Sequence, residues 1–184
     1  MSITAAVNAS LVSIPGYPKA AEPHWYAVYT CANHEKRIAA QFDERSIENF
    51  LPLYETVRRW KDRRMRIVLP LFPGYIFVRH SLWKRLDILQ VPGVVRLVGF
   101  NNIAAPLPIE DIETLRNGLK RSYNAEPHPY LTVGRRVRVV HGSFDGLEGI
   151  LLRRKGNLRV VISIHLIMRS VAVDVDLSDV QVLQ

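Results

Sequence analysis

The sequence predicts an α+β front domain followed by a small all-β module. Three observations predict it. Strand-type and helix-type patterns alternate unevenly over residues 25–122, which suits an antiparallel sheet flanked by helices. Residues 130–184 carry almost only a period of two. Between them lies Ser122-Tyr123-Asn124-Ala125-Glu126-Pro127-His128-Pro129, whose two prolines neither continue a helix nor enter a central strand. The expected organisation is a flexible leader over 1–23, a front domain over 24–122, a linker over 123–129 and a β-barrel over 130–184.

In the front domain, Trp25-Tyr26-Ala27-Val28-Tyr29-Thr30 is aromatic and β-branched and reads as a strand. A helix follows, with Asn33 as its expected N-cap. Ile38 and Phe42 share its buried face, and Lys36, Arg37 and Arg45 face water. Residues 49–54 read as a second strand with Pro52 at an edge. Past a basic hairpin or loop, Ile67–Leu71 and Tyr75–Arg79 read as strands joined through Phe72-Pro73-Gly74. Trp83, Leu86 and Leu89 suit a short helix, and Val94–Val98 another strand. A second long helix starts after Pro106 and Pro108. Its acids Glu110, Asp111 and Glu113 come early, its bases Arg116, Lys120 and Arg121 late, and Ile112, Leu115 and Leu119 form its apolar stripe. In the rear module, Val137 and Val139, then Leu158 to Ile164, then Val171 to Val175 alternate with polar or smaller partners. At 55 residues it is near the lower limit for a self-sufficient core.

Composition narrows the functions. Of 184 residues, 48% are apolar and 23% charged, as in ordinary globular protein. No apolar run is long enough to span a membrane. The N-terminal residues Met1 to Ala9 carry no base, unlike a secretory signal, so a cytoplasmic location is expected. One cysteine, Cys31, excludes an internal disulfide and a cysteine-based zinc cage. A net charge of +8 favours a polyanionic partner. The pair Cys31 and His34 lacks a third orienting group or an oxyanion site, and Asp174 with Asp176 reads as balancing nearby arginines. No nucleotide-binding or metalloprotease motif occurs. The expectation is therefore no enzyme, no metal and no cofactor.

Two motifs carry the functional reading. Val133-Gly134-Arg135-Arg136-Val137-Arg138-Val139-Val140-His141-Gly142-Ser143-Phe144-Asp145-Gly146-Leu147-Glu148-Gly149-Ile150 places glycines where tight connections need them. Gly142 and Gly146 suit positive φ, Gly149 suits a bulge or a close backbone crossing, and Phe144 is expected to anchor the turn at the barrel mouth. This stretch resembles the KOW motif. The second motif is Leu69-Pro70-Leu71-Phe72-Pro73-Gly74-Tyr75-Ile76-Phe77-Val78 with Val91-Pro92-Gly93-Val94-Val95-Arg96-Leu97-Val98-Gly99. With Trp25 to Tyr29 it resembles the NGN domain of NusG-type transcription factors, in which NGN precedes an SH3-like KOW barrel. The resemblance covers residues 25–184.

The resemblance implies an elongation or antitermination factor, and a monomer is the expected state. It implies docking on the RNA polymerase β′ clamp helices through Tyr29, Phe72, Pro73, Tyr75 and Phe77, bridging of the cleft, and suppression of pausing. The residues add one argument of their own. Tyr75 and Phe77 alternate with Ile76 and Val78, so one apolar face covers the core and the other is expected to present aromatics to a partner. A contact to the β gate loop is implied as a location only, near Lys84-Arg85-Leu86. The run Arg58-Arg59-Trp60-Lys61-Asp62-Arg63-Arg64-Met65-Arg66 holds six cations and one anion and suits a hairpin reaching upstream DNA. Asn33, His34, Arg37 and Arg45 match positions that contact the non-template strand in the RfaH-like branch.

In the KOW segment the family binds Rho or a small-subunit ribosomal protein through an Ile-Phe-Gly-Arg turn. Here the turn is longer and runs through Ile164, His165, Leu166, Ile167, Met168 and Arg169, with Leu166-Ile167-Met168 as its expected exposed tip. That departure resembles specialised paralogues of the RfaH/UpxY kind. The alternatives are a general NusG acting with Rho and the ribosome, or a ribosome-associated RNA-binding KOW protein. The β-branched alternation of Val171 to Val175 disfavours the helical hairpin that an RfaH tail adopts.

Overall fold

The computed structural model describes residues 21–60, 63–121, 125–128, 134–142, 144–154 and 157–183. The front domain is built on β1 (His24–Thr30), followed by α1 (Glu35–Glu44) and β2 (Glu48–Phe50). Next come β3 (Leu53–Trp60), β4 (Arg63–Pro70) and β5 (Tyr75–His80), then a 3₁₀ turn (Leu82–Lys84) and α2 (Arg85–Leu89). The short strands β6 (Val94–Leu97), β7 (Gly99–Phe100), β8 (Ile103–Ala104) and β9 (Pro106–Leu107) lead into α3 (Ile109–Arg121).

The central sheet runs β2-β5-β1-β6, with β9 also on β1, and every pairing is antiparallel. Its two faces have different covers. Val28, Ile76 and Val78 pack with Ile38 and Phe42 of α1 and with Ile88. Trp25, Ala27 and Phe77 pack with Ile112 and Leu115 of α3. Arg116 fixes α3 further: its guanidinium lies 4.8 Å from the Trp25 ring centroid and 5.3 Å from that of Phe50.

The rear module comprises β10 (Ala125–His128), β11 (Arg136–Val139), β12 (Glu148–Arg154) and β13 (Asn157–Ile164). A 3₁₀ turn (His165–Ile167) precedes β14 (Arg169–Val175), and another (Leu177–Asp179) precedes β15 (Val180–Val182). The ladder order is β10-β14-β13-β12-β11-β15, all antiparallel. Val137, Val160, Val171 and Val173 are fully buried, as the alternation predicts. Gly142 and Gly146 take φ of +88° and +86°. A Cβ on Gly149 would collide with the Val161 carbonyl of the neighbouring strand, so of the two readings of this glycine the close crossing holds.

Several local expectations give way. The stretch read as a linker includes β10, which pairs with β14 from Ala125↔Val173 to His128↔Ser170. Pro127 is tolerated because β10 is the sheet's edge, where one side of the strand needs no donor. The strand before Phe72-Pro73-Gly74 does not pair with the one after it. β4 pairs with β3 along their whole lengths, while β5 inserts between β1 and β2. Asn33 is no N-cap: it sits at φ +61°, and α1 starts after His34, whose side chain makes no cap bond. Across the 3₁₀ turn and α2, Leu82 and Ile88 are buried, whereas Trp83 and Leu86 are exposed. The leader residues 1–20 lie outside the described residues.

The two modules touch. Phe144 is buried, and a Cβ added to Gly118 of α3 would overlap its ring. The expected anchor at the barrel mouth is thus an anchor on α3. One apolar cluster runs from Trp25, Phe72 and Phe77 into Val137, Phe144 and Leu147. Beside it, Tyr54 and Glu55 of β3 line a polar cleft with Glu126, Arg159 and Asp174.

Candidate functional site

Both Pro-Gly turns converge on the junction between β1 and α1. Tyr75 N–H donates to the Phe72 carbonyl at 3.0 Å, with Pro73 and Gly74 as the central residues and Gly74 at φ +82°. Val94 N–H closes the second turn on Val91 at 3.0 Å, around Pro92 and Gly93 at φ +99°. Proline followed by a positive-φ glycine is the pattern of a type II turn. Thr30 N–H donates to the Gly74 carbonyl at 2.9 Å, and Cys31 N–H to the Gly93 carbonyl at 2.8 Å. The buried Glu35 carboxylate accepts from Gly74 N–H at 2.7 Å. The motif spacing read from the sequence therefore corresponds to one hydrogen-bonded hub.

Three of the five aromatic-surface residues form an accessible lip on this hub. Tyr29 is 38% exposed, Pro73 is exposed and Tyr75 is half-buried. The two tyrosine rings are 5.4 Å apart, and Arg96 lies over Tyr29 at 5.7 Å. Phe72 and Phe77 are buried beneath, edge to face at 5.7 Å, within the cluster that continues into the rear module. The face expected to be bare is open at Tyr75 and closed at Phe77. Phe50, α3 and the shared cluster supply the cover.

The basic candidates form two neighbouring groups. Asn33, His34, Arg37 and Arg45 are all exposed around α1. Arg58, Arg59, Arg63 and Arg64 are exposed on the β3–β4 ribbon. Register sorts the ribbon's cations by face. Arg59 opposes Arg64 and Val57 opposes Arg66, on one face; Arg58 opposes Met65 on the other. Directly opposed arginines repel, and that repulsion is relieved by a polyanion. Lys36 Nζ donates to the Val68 carbonyl at 2.6 Å, tying α1 to the ribbon. Lys61 and the Trp60 side chain lie outside the described residues.

The rear-module tip differs from its expectation. Ile167 is buried and Leu166 and Ile164 are half-buried, so of the apolar run only Met168 projects, from a φ of +52°. Arg169 is exposed, and the His165 side chain lies outside the described residues. Two groups of ion pairs lie among the described residues of this module. A hydrogen bond from Arg138, joined by Arg136, holds the Glu148 carboxyl below its usual range. Burial works against the Arg159 charge, but Glu126 and Asp174 outweigh it and raise its pKa.

Sequence reasoning missed Glu35, Arg96 and Gly118. The signal for Glu35 was present: it lies three residues before Ile38 and seven before Phe42, on the buried stripe. Gly118 lies one residue before Leu119, inside a helical pattern that does not need glycine.

The family profile described as "Transcription termination factor nusG" matches residues 23–116, just over half of the chain. The chain belongs to the NusG family. Similar proteins include the NusG transcription termination/antitermination proteins of Borreliella burgdorferi and Thermus thermophilus. The first is 27% identical over 182 residues, covering 85% of this chain and 97% of that protein. The second is 26% identical over 181 residues, covering 85% and 96%. A solved structure described as "Domain interaction in Thermotoga maritima NusG" shares the fold, with a TM-score of 0.56 at 19% identity over 90% of this chain and 99% of that one. This NusG-type chain is thus a transcription termination/antitermination factor, of a family of transcription factors rather than enzymes. No helix among the described residues is long and apolar enough to cross a membrane.

Proposed function

We propose that this NusG-family factor acts on RNA polymerase as an operon-specific antitermination factor, docking on the β′ clamp helices through the lip of Tyr29, Pro73 and Tyr75. The observation that carries the docking reading is the hub. Two Pro-Gly turns and the buried Glu35 fix a small aromatic lip that the domain's own core leaves accessible. Apolar and aromatic groups held rigidly at a surface favour a protein partner. Phe72 and Phe77 support the lip from below, and full engagement of their side chains requires the cluster shared with the rear module to open.

The ribbon and the start of α1 supply the electrostatic half of the reading. With the lip on the clamp, Arg59, Arg64 and Arg66 track phosphates of upstream DNA, and Asn33, His34, Arg37 and Arg45 face the displaced strand. Contacts of this kind fall with salt and carry little sequence preference. The exposure of Trp83 and Leu86 supports a second polymerase contact on the gate-loop side. The rear tip, with Met168 and Arg169 outermost, is the surface for a Rho or small-subunit ribosomal partner.

The test is capture of core RNA polymerase by the full chain carrying Tyr29→Ala and Tyr75→Ala. Both side chains are partly exposed, so the fold is retained. Affinity is expected to fall at least about tenfold. Undiminished capture would refute the lip. Phe77→Ala is a poor substitute, because removing a fully buried Phe costs ~3–5 kcal/mol.

A further inference from the structure

We infer that Glu35 is a positioning residue for partner docking: its buried carboxylate selects the backbone conformation of the Phe72–Tyr75 turn and so sets the pose of the lip. This rests on the docking reading above. Glu35 is 3% exposed and, among the described residues, is paired with no cation. Burying a carboxylate is costly unless hydrogen bonds compensate it. Its place in the first turn of α1 gives some compensation from the helix dipole. Yet Oε1 reaches 39 residues along the chain, to Gly74 N–H at 2.7 Å.

That N–H is the informative one. Type I and type II turns differ by a flip of their central peptide plane. Here the central peptide joins Pro73 to Gly74, so its N–H is the Gly74 amide. Proline suits the second position of either turn, and glycine tolerates either sign of φ, so the local sequence leaves both open. An acceptor fixed on the α1 side favours the conformer that points Gly74 N–H at it. The flipped conformer turns the Pro73 carbonyl toward Glu35, oxygen against oxygen. Gly74 is also confined on its other side, where a Cβ would lie 3.4 Å from Tyr29 Cε2 and where Thr30 N–H holds the Gly74 carbonyl. The carboxylate, the turn and the Tyr29 ring are thus in one chain of contacts. Because Glu35 opens the helix that carries Arg37 and leads to Arg45, the same bond fixes the lip relative to the basic face.

The experiment compares full-length Glu35→Ala and Glu35→Gln with Tyr75→Ala. Readouts are affinity for core RNA polymerase and the amide resonance and hydrogen exchange of Gly74. Gln keeps an acceptor oxygen, and Ala removes it. The expected result is an affinity loss of about tenfold for Ala, with faster Gly74 exchange, and Gln within about threefold of the parent. If Ala exchanges faster at Gly74 but binds like the parent, the turn's conformation does not govern docking and the inference is overturned. If Gln loses as much as Ala while Gly74 stays protected, the hydrogen bond is not the agent and the inference is again overturned. Should Ala fail to fold, Glu35→Asp, which withdraws the acceptor by one methylene, takes its place in the comparison. Loss with Tyr75→Ala but none with Glu35→Ala or Glu35→Asp defeats only the positioning role. No loss with Tyr75→Ala defeats the docking reading, and the inference with it.

Discussion

Replacing Gly118 by alanine should stabilise one part of this protein and loosen another. Gly118 lies inside α3, where alanine is favoured over glycine by ~1 kcal/mol. Taken alone, that raises the melting temperature of a front domain of this size by about 4–8 °C. But the added Cβ would overlap the Phe144 ring, which is buried at 3% exposure. A ring is stiff, so the contact must part or repack, at a cost of roughly 1–3 kcal/mol. That lowers the closed-to-open ratio of the two modules by about 5- to 150-fold. The assay is backbone relaxation of the full chain, which reports whether the modules tumble together, alongside calorimetry. Gly118→Ala is expected to give faster tumbling of the rear module and a higher-melting front domain. In a Phe144→Ala background the obstacle is gone, and the same substitution becomes purely stabilising, by ~1 kcal/mol. A single melt that simply moves upward, with unchanged tumbling in the Phe144→Ala background and without it, would refute the packing argument.

Other outcomes follow from the same geometry. Nucleic-acid affinity should fall linearly on a log–log salt plot, and Arg59→Ala or Arg64→Ala should each flatten the slope by about 0.9 on duplex DNA, with little change between sequences. Equal slopes for parent and variants would remove the ribbon from the interface. The Glu148 carboxyl titrates below its unfolded value, so its contribution is present above the unfolded pKa and is lost as pH falls through the lowered one. Glu148→Gln should therefore flatten the acid limb of the rear module's pH–melting curve, and an unchanged limb would discount the Arg138 pairing. Arg159 sits between Glu126 of β10 and Asp174 of β14, so Arg159→Ala should selectively raise amide exchange over Ala125–His128. Uniform exchange across β14 and β10 would show that the ladder holds without it.

Much of the architecture was legible because it rests on local periodicity. Ile38 and Phe42 define α1, Ile112 and Leu115 define α3, and the alternating valines define the rear sheet, whatever their partners. What stayed hidden depends on partners distant in sequence. Phe72-Pro73-Gly74 reads as a hairpin turn, yet β4 finds β3, and a β5 buried on both faces is drawn into the middle of the sheet. Two prolines read as a linker, yet Ala125–His128 gains a strand because β14 offers an edge. The site divides in the same way. Tyr29 and Pro73 came only from the motif resemblance, while Tyr75 was also readable from strand alternation. Phe72 and Phe77 were not readable as buried, since their cover comes from α3 and from the cluster shared with the rear module. Glu35 was overlooked for a different reason: its position on the stripe said buried, and its charge said exposed.

The most direct measurement places a photo-reactive amino acid at position 75 of the full chain and irradiates it with core RNA polymerase. The account predicts a cross-link to the clamp of the β′ subunit, lost when Tyr29 is also replaced by alanine. A cross-link that forms only inside the chain itself, or that maps to another subunit while positions in the rear module reach β′, would contradict it.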